Sequence, residues 1–198
     1  MDPVELTPKE EITRRIEGLK TCLAAAGIDF AIIMQNVDMY YFTGTIQKGL
    51  LVVPVDHDPI FLVEKSVERA VEQTPLPVTP IKTNNEIRSV LSARGILRGR
   101  GGAELDVLPV STYKRLKEKT GFDGFVDVSH LIRELRAVKS PFEIDQIRKS
   151  GQILSHVFVK AKDVIREGIR EIDVEAELVA EGKRCGHDGF LRMRGFNQ

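Results

Sequence analysis

The 198-residue sequence predicts an α/β fold in which a mixed β-sheet is flanked by helices and followed by a helical C-terminal extension. Short apolar runs of strand length alternate with amphipathic segments up to about residue 136. One pair of these runs is joined by a turn too short for a crossover helix, so the sheet contains an antiparallel pair. From Ser140 onward only helical signals remain. We therefore predict two domains, residues 1–136 and residues 137–198.

The first helix is predicted at residues 8–26. Thr7 is a candidate N-cap, Pro8 suits the first helical position and Glu10 stands third after the cap. Gly27 can end the helix in the left-handed conformation. Apolar residues recur every three or four positions and predict one buried stripe, formed by Ile12, Ile16, Leu19, Leu23 and Ala26.

Three runs are apolar on both faces and predict buried strands, at residues 30–34, 50–54 and 60–63. The polar turn Asp56-His57-Asp58-Pro59 joins the second and third runs and favours an antiparallel hairpin. Further helices are predicted at 67–73, 86–94 and 112–120, and further strands at 78–81, 103–105 and 125–128.

The C-terminal part begins with a strong helix start. Ser140-Pro141-Phe142-Glu143 combines a cap, a proline at the first position and a glutamate at the third. The long helix that follows would extend about 36 Å. It carries one narrow apolar seam, formed by Ile144, Ile147, Gly151, Leu154, Phe158, Ala161 and Ile165. A second helix is predicted at 172–185. Two helices cannot enclose a core, so residues 137–198 are predicted to open a larger domain.

Composition excludes several classes of partner. The 29 basic and 29 acidic side chains balance, which argues against binding to nucleic acid. The longest apolar run is too short to span a membrane, and the acidic N-terminus lacks the features of a secretory signal. We expect a cytoplasmic protein whose two cysteines, Cys22 and Cys185, are reduced.

Spacing alone predicts no active site. His156 and the segment 185–188 (Cys-Gly-His-Asp) are candidate metal ligands, but a closed zinc site needs four ligands at other spacings. We favour a hydrogen-bonded structural role for His156 and predict no metal site. The glycine-rich segment 98–102 leads from a helix into a strand, which favours a turn over a phosphate-binding loop. The aromatic-rich segment 36–44 predicts either a short helix packed under the sheet, which we favour, or a ligand contact.

Several segments together resemble the creatinase/prolidase/aminopeptidase P family of pita-bread metallopeptidases. These are the helix end 24–29 (AAAGID), Asn36 followed by 41–44 (YFTG), and the pattern LRxxKSxxEI at 135–144. The sequence departs from the family pattern at two places, which affect helix capping and packing. Arg170 replaces the usual Thr or Ser before Glu171, and Ser150-Gly151 stands where Ala is common.

The resemblance implies that residues 1–136 are a creatinase/prolidase-type N-terminal domain with a ribonuclease-H-like layout. Residues 137–198 would then be the truncated start of the pita-bread catalytic domain. The family binds two divalent metal ions (Mn, Co or Zn) through two Asp, one His and two Glu, which we expect beyond residue 198. No catalytic or metal-binding residue is therefore carried over to this chain, and the chain alone is predicted to be inactive.

The resemblance also implies a homodimer that acts on proline-containing peptides, in which the N-terminal domain narrows the entrance to its partner's site. Relatives present a side chain to the substrate from the loop that corresponds to residues 45–49. Lys48 is the first candidate for a substrate-facing charge, and Gln47 and Arg192 are further candidates.

Two function hypotheses follow. The first is the N-terminal part of a proline-specific peptidase with dimerisation and substrate-gating roles; creatine-type or other amidine chemistry stays open beside it. The second is a stand-alone, non-enzymatic binding or assembly module that docks a partner on the seam of 144–165. A ribonuclease-H-like nuclease ranks third, because strands 30–34, 50–54 and 60–63 contain no acidic residues.

Overall fold

The computed structural model describes residues 5–187, which divide into two compact units, residues 5–137 and residues 138–187. The first unit is an α/β structure and the second is helical. Within residues 5–187, no helix combines the length and the apolar character that a membrane span requires.

The first unit contains a mixed six-stranded sheet with helices on its faces, which confirms the predicted fold class. The elements are α1 (Lys9–Ala25), β1 (Phe30–Ile33), α2 (Asn36–Thr43), β2 (Gly49–Pro54), β3 (Ile60–Val63), α3 (Val67–Gln73), β4 (Val78–Pro80), α4 (Asn84–Ala93), β5 (Gly101–Ala103), α5 (Val110–Thr120), β6 (Val126–Asp127) and α6 (Ser129–Ala137).

The strand order is β4-β3-β2-β1-β5-β6. β2 pairs antiparallel with both β1 and β3, as the short turn predicts, with Ala31 opposite Val53 and Leu51 opposite Phe61. β4 pairs parallel with β3, β5 with β1, and β6 with β5. The carboxyl ends of β1, β3, β4, β5 and β6 therefore lie at one edge of the sheet, where β2 begins.

The three central strands are buried on both faces because their side chains alternate between two cores. Ala31 and Ile33 of β1 pack into the core under α1, α2, α3 and α6, whereas Phe30 and Ile32 pack into the core under α4 and α5. β2 and β3 alternate in the same way. This explains why their sequences are apolar at every position, and it confirms the prediction of buried strands.

The start of α1 differs from the prediction. Pro8, with φ −59° and ψ 147°, occupies the N-cap position, and no side chain caps the helix. Thr7 is instead buried, with its side chain near Gly44. The extended backbone that Pro8 adopts moves the helix start one residue on, which leaves Thr7 outside capping range. The predicted end is correct, because Gly27 has φ 65°.

The glycine-rich segment 98–102 contributes to the sheet, whereas the sequence predicts a turn and a strand only at 103–105. Gly101 and Gly102 are buried residues of β5. A Cβ atom on Gly101 would lie 2.6 Å from the ring of Phe30, and one on Gly102 would overlap Val128. Glycine is needed here because neighbouring side chains cross directly over the strand.

The second unit contains α7 (Pro141–Val164) and α8 (Glu171–Arg184), which pack on each other. The predicted capping box is present: Ser140 Oγ accepts a hydrogen bond from the N–H of Glu143, and the Glu143 side chain accepts one from the N–H of Ser140. α8 begins without a side-chain cap at Arg170, whose guanidinium instead binds both carboxylate oxygens of Asp173 at 2.8 Å.

Candidate functional site

A cleft opens in the first unit at the edge of the sheet where the carboxyl ends of the parallel strands meet. In open α/β sheets this is the edge at which ligands bind. The cleft has a volume of about 470 Å³ and is formed by the ends of β1 and β3, the start of β2, and α5. Its lining residues are Met34, Asn36, Met39, Ile46, Gln47, Lys48, Gly49, Glu64, Thr112, Arg115, Leu116 and Lys119.

Hydrogen bonds hold the loop 44–48, which forms one wall of this cleft. α2 ends at Gly44 in the left-handed conformation, with φ 78°. The hydroxyl of Thr43 donates to the carbonyl oxygen of Thr45 at 2.9 Å, and the hydroxyl of Thr45 donates to Oε1 of Gln73 at 2.7 Å. The loop is therefore tied to both α2 and α3 before the chain enters β2.

Two lysines share one carboxylate at the cleft. Lys48 Nζ lies 2.8 Å from Oε2 of Glu64, and Lys119 Nζ lies 2.5 Å from Oε1. Burial opposes ionisation of Glu64, but the hydrogen bonds from Lys119 and Lys48 outweigh it and keep the pKa of Glu64 below its usual value. The Lys48 side chain is 65% exposed and that of Lys119 is 18% exposed. Lys48 is therefore the member of the pair that can turn toward a ligand.

The cleft carries a surplus of positive charge. Lys48, Arg115 and Lys119 line it together with a single acid, Glu64. If Lys48 leaves Glu64, Lys119 still neutralises that carboxylate, so Lys48 can bind an anion without leaving a charge unpaired. This arrangement is suited to a carboxylate or phosphate group that enters from solvent.

Two of the three predicted substrate-facing residues lie at this cleft. Gln47 and Lys48 both line it, and Gln47 Nε2 approaches Oε1 of Gln73 at 3.4 Å. The third, Arg192, lies outside the described residues. Glu64 and Lys119 are not predicted from the sequence, because nothing in their local sequence indicates that they contact Lys48.

A fully buried pair of carboxyl groups lies at the same edge of the sheet, behind the end of β1. Glu104 follows β5 and Asp38 belongs to α2, and neither is accessible to solvent. Glu104 Oε2 accepts hydrogen bonds from the N–H groups of Met34 at 2.7 Å and Gln35 at 2.9 Å. Burial raises the pKa of Glu104 well above its usual value, and hydrogen bonding to Asp38 and its negative charge raise it further.

These effects favour the protonated form of Glu104. The Asp38 side chain accepts a hydrogen bond from Arg136 Nη1 at 2.5 Å. Arg136 belongs to the LRxxKS pattern, so this part of the motif joins α6 to α2. Full burial keeps Asp38 and Glu104 from contacting a substrate, and we assign them to holding the edge of the sheet together.

The aromatic segment 36–44 forms the short helix α2, as favoured from the sequence. Phe42 is fully buried and Tyr41 is nearly so, in the core under α1. The guanidinium of Arg15 lies 4.2 Å from the centre of the Tyr41 ring. Tyr41 and Phe42 therefore pack against the protein itself, whereas Asn36 and Met39 of the same segment line the cleft.

The second unit brings together three side chains that could hold a metal ion, where the sequence predicts none. His156 of α7 lies close to Glu181 of α8 and to Cys185, which directly follows α8. His156 and Cys185 are candidate ligands from the sequence, whereas Glu181 is not among those candidates. The spacing of four residues between Glu181 and Cys185, which places both on one face of a helix, was the available signal.

Comparison with known proteins shows similarity to one domain family and to several peptidases. Residues 15–138 match the family described as Creatinase/Prolidase N-terminal domain. A Xaa-Pro dipeptidase from Pyrococcus furiosus is 31% identical over 166 residues, which are 83% of this chain and 46% of that protein.

Solved structures of peptidases are also similar to this chain. A Xaa-Pro dipeptidase from Bacillus anthracis has a TM-score of 0.80 at 25% identity, and the match covers 89% of this chain and 50% of that one. The N-terminal domain of the cytoplasmic peptidase PepQ from Mycobacterium tuberculosis H37Rv has a TM-score of 0.53 at 22% identity over 62% of this chain and 98% of that one, a likeness in fold alone. The chain spans about half the length of the two dipeptidases.

Proposed function

The chain belongs to the creatinase/prolidase N-terminal domain family, and from this we propose that it is the N-terminal part of a proline-specific metallopeptidase, of the Xaa-Pro dipeptidase or Xaa-Pro aminopeptidase type. The match to the Pyrococcus furiosus Xaa-Pro dipeptidase carries the proposal. That match extends over 166 residues, more than the first unit contains, so the similarity continues into the second unit.

In this proposal residues 1–136 form the N-terminal domain, and residues 137–198 are the start of the pita-bread catalytic domain. The apolar side chains of α7 support the second assignment. Ile147 and Leu154 are each 56% exposed and Phe158 is 66% exposed. The rest of the catalytic domain would bury these side chains by packing on the seam. Each fully buried side chain would contribute about 1.5–3 kcal/mol to the free energy of unfolding.

The family resemblance implies a pair of Mn, Co or Zn ions held by two Asp, one His and two Glu. Such ions lower the pKa of a bound water and polarise the peptide carbonyl. Among residues 5–187, the one group able to hold a metal contains a single carboxylate, so it does not fit that ligand set. We therefore assign no hydrolytic step to these residues.

The role proposed for the first unit is assembly and substrate gating. We propose that Lys48, at the mouth of the cationic cleft, faces the carboxylate of a proline-containing peptide bound by a partner subunit of a homodimer. Two observations support this role. The Lys48 side chain is 65% exposed, and Lys119 would still neutralise Glu64 if Lys48 left it. Gln47 would take part as a neutral donor from the same loop. We place the protein in the cytoplasm, and the free Cys22 and Cys185 support a reducing compartment.

A peptidase assay tests the assignment of chemistry. The purified 198-residue chain, supplied with a Xaa-Pro dipeptide and Mn²⁺ or Co²⁺, should give no turnover. Turnover that co-purifies with the chain would show that these residues supply a complete catalytic site, and the proposal would be wrong.

Light scattering coupled to size exclusion tests the assembly role. We expect a dimer of the 198-residue chain at micromolar concentrations. A monomer across that range would count against dimerisation through this part of the protein.

Lys48 is tested in a form of the enzyme that contains the metal ligands. Lys48→Met should raise KM about tenfold or more with little change in kcat, because a charge-assisted hydrogen bond contributes about 1.5–3 kcal/mol. Lys65→Met, which removes an exposed lysine outside the cleft, is the matched control. Equal KM values for the two variants would exclude the proposed role of Lys48.

The exposed seam of α7 also favours a second candidate function, a stand-alone binding or assembly module whose partner covers that seam. The coding sequence separates the two. A reading frame that continues past Gln198 into further acidic and histidine residues supports the peptidase, whereas a stop codon there supports the module.

A further inference from the structure

The face between α7 and α8 holds three side chains that act as metal ligands in many proteins, and the proposed peptidase function does not use them. His156 extends from α7, Glu181 extends from the last turn of α8, and Cys185 is the residue that directly follows α8. His156 Nε2 lies 2.9 Å from Glu181 Oε1, so the two helices already hold these two donors in direct contact.

The separations suit a single ion. One donor atom from each of the three residues lies within 4.8 Å of the others. With metal bonds of about 2.0–2.1 Å to nitrogen and oxygen and about 2.3 Å to sulfur, a tetrahedral ion needs donors about 3.3–3.6 Å apart. Rotamer adjustments of about 1 Å would close that difference, and the ion would replace the proton now shared by His156 and Glu181.

We propose that His156, Glu181 and Cys185 bind one divalent transition-metal ion of the zinc type. Imidazole, thiolate and carboxylate are the donor types that zinc and cobalt take in proteins. Three protein ligands leave a fourth position for water. The ion would therefore join α7 to α8 and leave a solvent-facing coordination position.

The surroundings of Glu181 allow this role. Its other oxygen, Oε2, is bound by Arg184 Nη1 at 2.9 Å, so the ion and the guanidinium would occupy opposite sides of one carboxylate. Such a partner orients a ligating carboxylate, as outer-shell groups do in metal sites. The side chain of Glu181 is 17% exposed and that of His156 is 58% exposed, which leaves an open path for the ion.

The test is a titration of the reduced 198-residue chain with Zn²⁺ by calorimetry and with Co²⁺ by optical absorption. We expect one equivalent of either ion to bind and a thiolate-to-cobalt charge-transfer band to appear. Cys185→Ser should abolish that band and weaken Zn²⁺ binding about tenfold or more, and His156→Gln should weaken it by a similar factor.

The chain offers a matched control for each substitution. Cys22→Ser and His57→Gln remove a cysteine and a histidine from the first unit and should leave both titrations unchanged. Circular dichroism checks that each variant keeps its helices. The proposal is wrong if the unsubstituted chain binds no equivalent of Zn²⁺, or if Cys185→Ser binds it as tightly as Cys22→Ser does.

Discussion

Replacement of Glu104 gives the sharpest test of the buried carboxyl pair. If Glu104 is protonated in the folded protein, glutamine can replace it without loss of contacts. The amide oxygen would accept the hydrogen bonds from Met34 and Gln35, and the neutral amide would place no charge beside Asp38. Alanine would instead leave two partly buried N–H groups without this acceptor, each at a cost of up to about 1–3 kcal/mol.

The pH dependence follows from the raised pKa of Glu104. Above its ordinary value of 4.5, the unfolded chain releases the proton while the folded chain retains it. The free energy of unfolding therefore falls as pH rises, by up to about 1.4 kcal/mol per pH unit, until the raised pKa of the folded state is passed. Glutamine does not titrate, so Glu104→Gln should become progressively more stable than the unsubstituted protein as pH increases.

Urea unfolding followed by tyrosine fluorescence measures this effect in the first unit, which contains Glu104. The chain has no tryptophan, and its three tyrosines, Tyr40, Tyr41 and Tyr113, all lie in the first unit with Glu104. The difference in unfolding free energy between Glu104→Gln and the unsubstituted chain, measured between about pH 5 and pH 8, cancels the titrations of groups that do not interact with residue 104. A difference that is constant with pH, or a Gln variant as unstable as Glu104→Ala, would refute the reasoning.

Two further substitutions test the packing and the capping that the structure shows. Gly101→Ala places a Cβ atom 2.6 Å from the Phe30 ring and should lower the unfolding free energy by about 1–3 kcal/mol in the same assay, whereas Gly124→Ala, in open space, should not. Ser140→Ala removes the capping box of α7 and should lower the stability of the first turn of this helix by about 1 kcal/mol. Faster amide hydrogen exchange in that turn measures the loss. Ser155→Ala in the middle of the same exposed helix is its control; equal exchange in the two variants would contradict the capping role.

The secondary structure of this protein was largely predictable because its signals are local. β3 and α3 occupy the residues predicted for them, and α7 begins at its predicted capping box. The predicted bounds are wrong where contacts with residues distant in sequence determine the structure. β5 begins at Gly101 because Phe30 and Val128 pack over it, and no sequence pattern near residue 101 contains that information.

By itself, the sequence determined the α/β class, the buried strands, the capped helix α7 and the family, since each depends on a pattern within a few neighbouring residues. The tertiary structure alone decided which charged groups meet: Glu64 with Lys48 and Lys119, and Glu104 with Asp38. Strand order and helix packing bring these residues together across long stretches of chain. That packing, rather than residue type, raises the pKa of Glu104 through burial and lowers the pKa of Glu64 through its two lysine partners.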